Sequence, residues 1–453
     1  MDLEVITGSV ESRTPEGIAA AISRLIRAGD LGPGQRLPTV RTVASALGVS
    51  PATVSSAWQA LSAVGLITSR GRAGSFVLEA STAWMPRHFG GLAGDHVEAR
   101  LDLSSGTPDP ELLPDLGPAL TRVPTRADTA SYLNSPVLPE LERTLRASWP
   151  APVASLTIVD GALDAISRAL DAIVRFGDRV VVEDPCFPPF FDLLETLGCE
   201  RVPVEVDAEG MRPDALAKAL ALGPVAIILQ PRAHNPTGAS LTASRAKELG
   251  RVLRSHEHLG DPVIIEDDHS GEISTAAPHS MGAWLPARTL HVRSFAKSHG
   301  PDLRIAALGG PAPLVDRIVA RRLLGPGWTS RMLQTILYEL LTASTSASAV
   351  HEARRIYHAR QRSLAEELTR LGVPHEPADG INAWIPVADE RAAMVALAAS
   401  GIRVAGGSSF LAAPPITGAP AHIRVTAGRI REDFAQVAAL LASAASARSG
   451  SWA

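Results

Sequence analysis

The sequence predicts a chain in two parts. A small helical head ends in a short β-hairpin, and a large α/β body follows, built on a mostly parallel sheet with a smaller C-terminal α+β domain. Three observations carry this reading. At 453 residues the chain is too long for one ordinary domain. Its first 79 residues show short helical periodicities punctuated by capping residues and glycines. Beyond residue 101, apolar runs of strand length alternate with amphipathic stretches, the pattern of a parallel sheet covered by helices.

Composition narrows the function classes. Apolar residues make up 45% and charged ones 20%, so a large core can form and wholesale disorder is excluded. The net charge of −4 means that any nucleic-acid surface must be local. Two cysteines, Cys186 and Cys199, suit a reducing compartment without a disulfide framework. The start, Met1-Asp2-Leu3-Glu4-Val5, lacks a basic segment followed by an apolar one, and no apolar run reaches membrane-spanning length. A soluble cytoplasmic protein without a metal site or membrane association is expected.

In the head, Thr14 caps a helix with Pro15 in its first turn, Ile18, Ile22, Leu25 and Ile26 on one face, and Gly29 as its stop. A second helix starts at Thr39 with Val40, Val43, Ala44 and Leu47 inward, and Gly48 closes it. Only Gly48 and Val49 separate it from Ser50, the cap of a third helix that carries Val54, Trp58 and Leu61 inward and stops at Gly65. Two short strands then flank a turn bearing Arg70 and Arg72. Tightly joined helices followed by a basic hairpin form a helix-turn-helix with a wing. Charge agrees: residues 12–78 hold seven arginines, Arg36 and Arg41 among them, against Glu16 and Asp30.

The segment resembles the GntR-type winged helix in Pro33-Gly34-Gln35-Arg36-Leu37-Pro38-Thr39-Val40-Arg41, in Leu47-Gly48-Val49-Ser50-Pro51-Ala52-Thr53-Val54, and in Arg70-Gly71-Arg72-Ala73-Gly74. The resemblance implies binding to double-stranded operator DNA, with Arg41, Thr53, the wing arginines Arg70 and Arg72 and Gly74 at the contact. Recognition helices of that family often carry arginine where this one has Pro51 and Ser55. Ser50, Ala52 and Thr53 offer only hydroxyl and methyl contacts to bases, so phosphate contacts and dimerisation should supply much of the affinity.

Residues 80–101, small, glycine-containing and aperiodic, read as a linker between the head (1–79) and the body (102–453), whose large and small domains divide at about 325/326. In the body, the residues just past each strand matter most, because sites in such sheets gather at strand C-termini. After Val159 come Gly161 and Ala162, which open a helix and suit a phosphate. After Glu183 comes Phe187, an aromatic plate. After Leu229 comes Asn235-Pro236-Thr237-Gly238, an amide in a rigid turn. After Ile265 come Glu266, Asp267, Asp268 and His269. After Val292 come Ser294-Phe295-Ala296-Lys297, with Arg304 beyond. Lys297 is one of only three lysines, and Lys218 and Lys247 sit on polar helix faces.

This set fits a planar, phosphorylated, heteroaromatic aldehyde. Lys297 would form the Schiff base, Asp267 would pair with the ring nitrogen, Asn235 would bond the ring oxygen, and Phe187 would stack. Ser294, Arg304 and the amide of Ala162, beside Gly161, would hold the phosphate. In this order the residues resemble the fold-type I aminotransferases over residues 102–440, with pyridoxal 5′-phosphate as cofactor. That resemblance implies two further roles. Arg424, in His422-Ile423-Arg424-Val425-Thr426-Ala427, would grip a carboxylate. Tyr132 would reach the neighbouring subunit's phosphate in a homodimer, with Thr329 and Ser330 as further candidates. His269 stands where that family usually has a tyrosine that bonds the ring oxygen.

A GntR-like head on an aminotransferase-like body resembles the MocR-type transcriptional regulators. The resemblance implies a dimeric, ligand-responsive DNA-binding regulator. It would carry pyridoxal phosphate as an internal aldimine on Lys297 and sense a small amino or carboxylate compound, or the cofactor itself. The alternative is an active aminotransferase with an accessory DNA-binding head.

Overall fold

The computed structural model describes residues 2–63, 66–69, 74–78, 85–93, 99–126, 131, 134–413 and 419–448. Arg70, Arg72 and Tyr132, three expected site residues, lie outside them. The chain forms two compact units. One is residues 1–87 with 175–178 and 191–200, and the other holds the rest of the body.

The head consists of α1 (Asp2–Ser9), α2 (Pro15–Ala28), α3 (Val40–Leu47) and α4 (Pro51–Ala63), followed by β1 (Ile67–Ser69) and β2 (Ser75–Val77). The caps are where the sequence puts them. Thr14 accepts from the Gly17 amide at 3.2 Å, Thr39 from Thr42 at 3.2 Å and Ser50 from Thr53 at 3.1 Å. Gly29 and Gly48 close α2 and α3 at φ 84° and 65°, where a side chain would be strained. Ile18, Ile22, Val43, Val54, Trp58 and Leu61 form the core expected of the three periodicities, with Ile26 and Val40 partly buried at its margin. The helix α1 is additional: its Ile6 is fully buried in that core, and the Ser9 carbonyl accepts from Arg24. The hairpin pairs Ile67 with Val77 and Ser69 with Ser75.

Within the connector lies a helix, α5 (Arg87–Ala93), and from Leu101 the chain enters a short strand, β3 (Leu101–Asp102). The body's main sheet contains β4 (Ser155–Val159), β5 (Arg179–Asp184), β6 (Glu200–Asp207), β7 (Gly210–Met211), β8 (Ala226–Leu229), β9 (Val263–Asp268), β10 (Thr289–Ser294) and β11 (Ala306–Gly310). Its strand order is β4-β11-β10-β9-β8-β5-β6-β7. The pairs β10/β9, β9/β8 and β8/β5 are parallel, whereas β11 runs antiparallel to both β10 and β4. β8 and the Val180–Val182 run of β5 are continuously apolar and buried on both faces, whereas β9 and β10 carry buried polar residues among the apolar ones.

The strand expected over Val263–Glu266 runs on by two residues: β9 continues through Asp268, so Asp267 and Asp268 are strand residues as well as Glu266, and all three are buried. Lateral partners make this tolerable. On one face Glu266 accepts from Ser280 at 2.6 Å and lies 2.8 Å from His291, and Asp268 takes Arg232. Strand alternation turns Asp267 to the other face.

The C-terminal part holds a three-stranded antiparallel sheet of Ala383–Val387, Ala421–Val425 and Ala405–Gly406. Helices Ser344–Arg370, Glu390–Ala399 and Phe434–Ala445 cover it. The strand β3 belongs with it, pairing in parallel with Ile402–Arg403, and Leu103 is buried in the same core.

Candidate functional site

The strands β4, β5, β8, β9 and β10 run the same way, so their C-terminal ends meet at one edge of the sheet. A cavity of about 680 Å³ opens there. Gly161 and Ala162 after β4, Phe187 after β5 and Asn235 after β8 all line it, as do Asp267 and His269 from β9. Ser294, Lys297 and Arg304 enter from β10 and the turn beyond, and Arg424 comes from the C-terminal sheet. These body residues expected at the site are thus brought to one wall or another, whereas the further candidates Thr329 and Ser330 do not line the cavity and Tyr132 lies outside the described residues.

The Lys297 ammonium donates to the carbonyl of Gly106. Burial, with the Arg424 charge added, lowers its pKa to about 8. Asp267 faces the same cavity. Its Oδ2 accepts from Gln230 Nε2 at 2.8 Å, while its buried Oδ1 has no hydrogen-bond donor. Burial pushes its pKa up to about 7. One residue on, Asp268 is held well below the usual range. Burial opposes ionisation there, but His291 and the bidentate Arg232 outweigh it. Desolvation, reinforced by the Lys297 charge, pushes the His269 imidazole down to about 3, so it is neutral at physiological pH. Its Nε2 lies 3.2 Å from Ser270 Oγ, and its buried Nδ1 has no partner.

Arg424 is 1% exposed and donates to the Ser104 carbonyl and, at 3.3 Å, to Asn235 Oδ1. Its guanidinium lies over the Phe410 ring at 5.0 Å, and among the described residues no carboxylate pairs with it. Burial lowers its pKa to about 10. At the other end of the cavity the helix Ala162–Ile173 begins after Gly161, whose φ of 103° only glycine adopts easily. A Cβ there would lie 3.3 Å from the Arg304 guanidinium, so the glycine leaves a hollow between a helix N-terminus and an arginine. Phe187 meets Phe190 edge-on at 5.4 Å between ring centroids. Neighbouring Cys186 is buried and its thiol pKa is pushed up, so it packs and does not react. Thr329 is engaged within its own chain, donating to Asp160 at 2.6 Å.

Three contributors escape a reading of the sequence. Gln230 bridges the site: its Nε2 donates to Asp267, its Oε1 accepts from the Asn235 amide and its own amide donates to Glu183. The available signal is its position directly after β8. Gly106 belongs to a loop almost two hundred residues before Lys297, and nothing local marks its carbonyl. Asp379 ties down the turn that follows Asn235, accepting from Ser240 at 3.1 Å and from the Thr275 amide at 2.8 Å.

In the head, Arg36, Arg41, Ser50 and Ala52 are exposed and Thr53 is half-buried. The Ser50 and Thr53 hydroxyls bond each other at 2.9 Å, so the cap partly occupies them. Gly74, at φ 102°, lies against the Arg36 guanidinium, where a Cβ would come within 2.8 Å of Nε.

Comparison with known proteins matches both units. The family of bacterial regulatory proteins named gntR matches residues 14–77, and aminotransferase class I and II matches residues 99–441. The vitamin B6 salvage pathway transcriptional repressor PtsJ of Salmonella typhimurium is 36% identical over 428 residues, covering 93% of this chain and 96% of that protein. The chain belongs to the MocR-type transcriptional regulators. The HTH-type transcriptional regulator YjiR of Escherichia coli is 29% identical over 437 residues, 87% of this chain and 91% of its own. Among solved structures, the aspartate aminotransferase from Thermus thermophilus with maleate superposes with a TM-score of 0.66 at 23% identity, over 77% of this chain and 92% of that one. The body of this MocR-type regulator is therefore a fold-type I aminotransferase fold, which implies pyridoxal phosphate, and its head is a GntR-type DNA-binding domain. Among the described residues no helix is long and apolar enough to cross a membrane.

Proposed function

We propose that this regulator binds operator DNA as a cytoplasmic homodimer and holds pyridoxal 5′-phosphate covalently on Lys297. An amino or carboxylate compound, or the cofactor itself, would be the signal that changes DNA affinity. The observation that carries the reading is the pairing of Lys297 with Asp267 across one cavity: an amine with its pKa lowered to about 8 and a buried carboxylate oxygen without a donor.

The residues fit the group. A protonated ring nitrogen supplies the donor that Asp267 Oδ1 lacks, and the hollow at Gly161, with Arg304, Ser294 and the Ala162 amide, suits a phosphate. When bound, the cofactor supplies an electrophilic aldehyde and an electron-withdrawing ring. The protein's own part is positional and electrostatic. Lys297 is partly unprotonated near neutral pH and so nucleophilic. Gln230 fixes the rotamer of Asp267 and accepts from the Asn235 backbone amide, and the Asn235 side-chain amide would face the ring oxygen. The Arg424 fork, desolvated and without a carboxylate, is available to a ligand carboxylate.

Similarity to PtsJ, a transcriptional repressor of the vitamin B6 salvage pathway, supports the cofactor as signal and repression as the outcome. A second reading, active transamination, is favoured by the Arg424 fork. Against it stands His269, a neutral imidazole in place of a phenol.

Incubation with pyridoxal phosphate should colour the purified protein, and borohydride should then fix the label on the peptide containing Lys297. A protein that stays colourless, or a label on Lys218 or Lys247, would sink the proposal. A gel shift with a specific fragment against competitor DNA, repeated with and without pyridoxal phosphate, tests the regulatory half. Steady turnover of an amino acid and a keto acid would promote the second reading.

A further inference from the structure

A second cavity, of about 250 Å³, lies behind the first. Its polar side holds Arg293 with Ser148, His299 and Glu272, the last turned to Arg354, and apolar side chains including Leu145, Phe295, Leu340 and Val350 form its body. Arg293 is 5% exposed. Both of its terminal nitrogens donate to Ser148, one to the hydroxyl at 2.8 Å and one to the carbonyl, and its guanidinium lies 4.8 Å from the Trp149 ring centroid. Its Nε has no partner, and among the described residues no carboxylate lies within ion-pair distance. The two acids that act on it from further off are engaged: Asp268 holds Arg232, and Glu272 holds Arg354 at 3.4 Å. A buried cation without a counter-ion beside an apolar hollow is costly unless an anion completes it.

We propose that this cavity is a second ligand site, for a small organic monocarboxylate whose apolar body fills the hollow and whose carboxylate meets Arg293. Two elements connect it to the first cavity, one a shared wall and the other a helix that holds a loop of the first cavity. Strand and turn alternation splits one segment between them: Ser294, Ala296 and Lys297 line the first cavity, while Arg293, Phe295 and His299 line the second. The helix Ser344–Arg370 offers Ala347, Val350 and His351 to the second cavity. Further along the same helix, Tyr357 and Arg360 hold Asp109, in the loop whose Gly106 carbonyl meets Lys297. A ligand in the second cavity therefore rests on both elements that position the lysine.

Calorimetric titration of the full-length protein with benzoate, benzamide and inorganic phosphate tests this. Benzoate should bind saturably, and benzamide and phosphate should not compete. Arg293→Gln should weaken benzoate by at least about tenfold, the scale of one charge-assisted hydrogen bond. Ala347→Trp, a change at an exposed position on the rim, should block the cavity with the same loss even where Arg293→Gln disturbs folding. Because Arg424 can itself take a carboxylate, the titrations are repeated on Arg424→Gln, where benzoate binding should persist and still be lost with Arg293→Gln and with Ala347→Trp. On that background, benzoate that fails to bind, survives both cavity variants, or is displaced equally by phosphate overturns the inference. Because the readout is heat of binding, a protein that binds benzoate yet stays colourless with pyridoxal phosphate would retain this site while the cofactor reading fails.

Discussion

The head and the body carry their working charges in opposite ways. Arg36 and Arg41 stand exposed, whereas Asp267, Asp268 and Arg424 are at most 2% exposed. An exposed arginine acts through a screened field suited to a polyanion. A buried charge is set by its few neighbours, so two adjacent aspartates in one strand are pushed in opposite directions. The head's binding can therefore be read from local composition, while the body's chemistry exists only once the chain has folded.

The largest effect should come from removing the amine. Lys297→Ala is expected to abolish covalent retention of pyridoxal phosphate, read as loss of the visible band and of borohydride-fixed label. Asp267→Ala should come next, weakening cofactor retention about 10- to 100-fold because one charge-assisted hydrogen bond is lost in a dry site; equilibrium dialysis measures it. Gly161→Val forces a branched residue to φ 103° and fills the hollow beside Arg304, so about tenfold weaker retention is expected.

The two remaining effects are smaller and sharpen the contrast. In cofactor-free protein, the folded pKa of Asp267 is raised to about 7 from an ordinary 3.8. The unfolded chain thus binds fewer protons between those values, and stability falls as pH rises from about 4 to 7. Thermal melts of Asp267→Asn should show a shallower fall over that window, and a parallel fall would contradict the assignment. Arg41→Ala should weaken DNA binding only a few-fold and lessen the slope of log affinity against log salt by about one. Cofactor retention by the wild type should be far less salt-sensitive than DNA binding.

Much of this is legible from residue types in order. The caps Thr14, Thr39 and Ser50 and the stops Gly29 and Gly48 mark the helices of the head, because these signals are local. The body site is legible as a list of strand ends, since a parallel sheet gathers them at one edge. The helix α1 is not, because Ile6 and the partly buried Leu3 one turn before it make too short a periodicity; only the core they meet explains it. The roles of Gly106 and Gln230 are equally hidden. A backbone carbonyl has no sequence signature, and a glutamine that bonds three residues far apart in the chain declares itself only through those partners. Charge alone ends the strand before Asp267 and Asp268, because it argues against a buried strand until His291 and Arg232 are in position beside it.

The pleat of β9 has a consequence for how this site can change over time. Register, rather than residue identity, decides which acid serves the ligand and which serves the scaffold. Inserting or deleting one residue between Val263 and Asp267 would rotate Asp268 toward the cofactor cavity and turn Asp267 toward Arg232 and His291, exchanging their surroundings at a stroke. Divergence at this strand can therefore proceed by substitution, while length changes of one residue are closed to it.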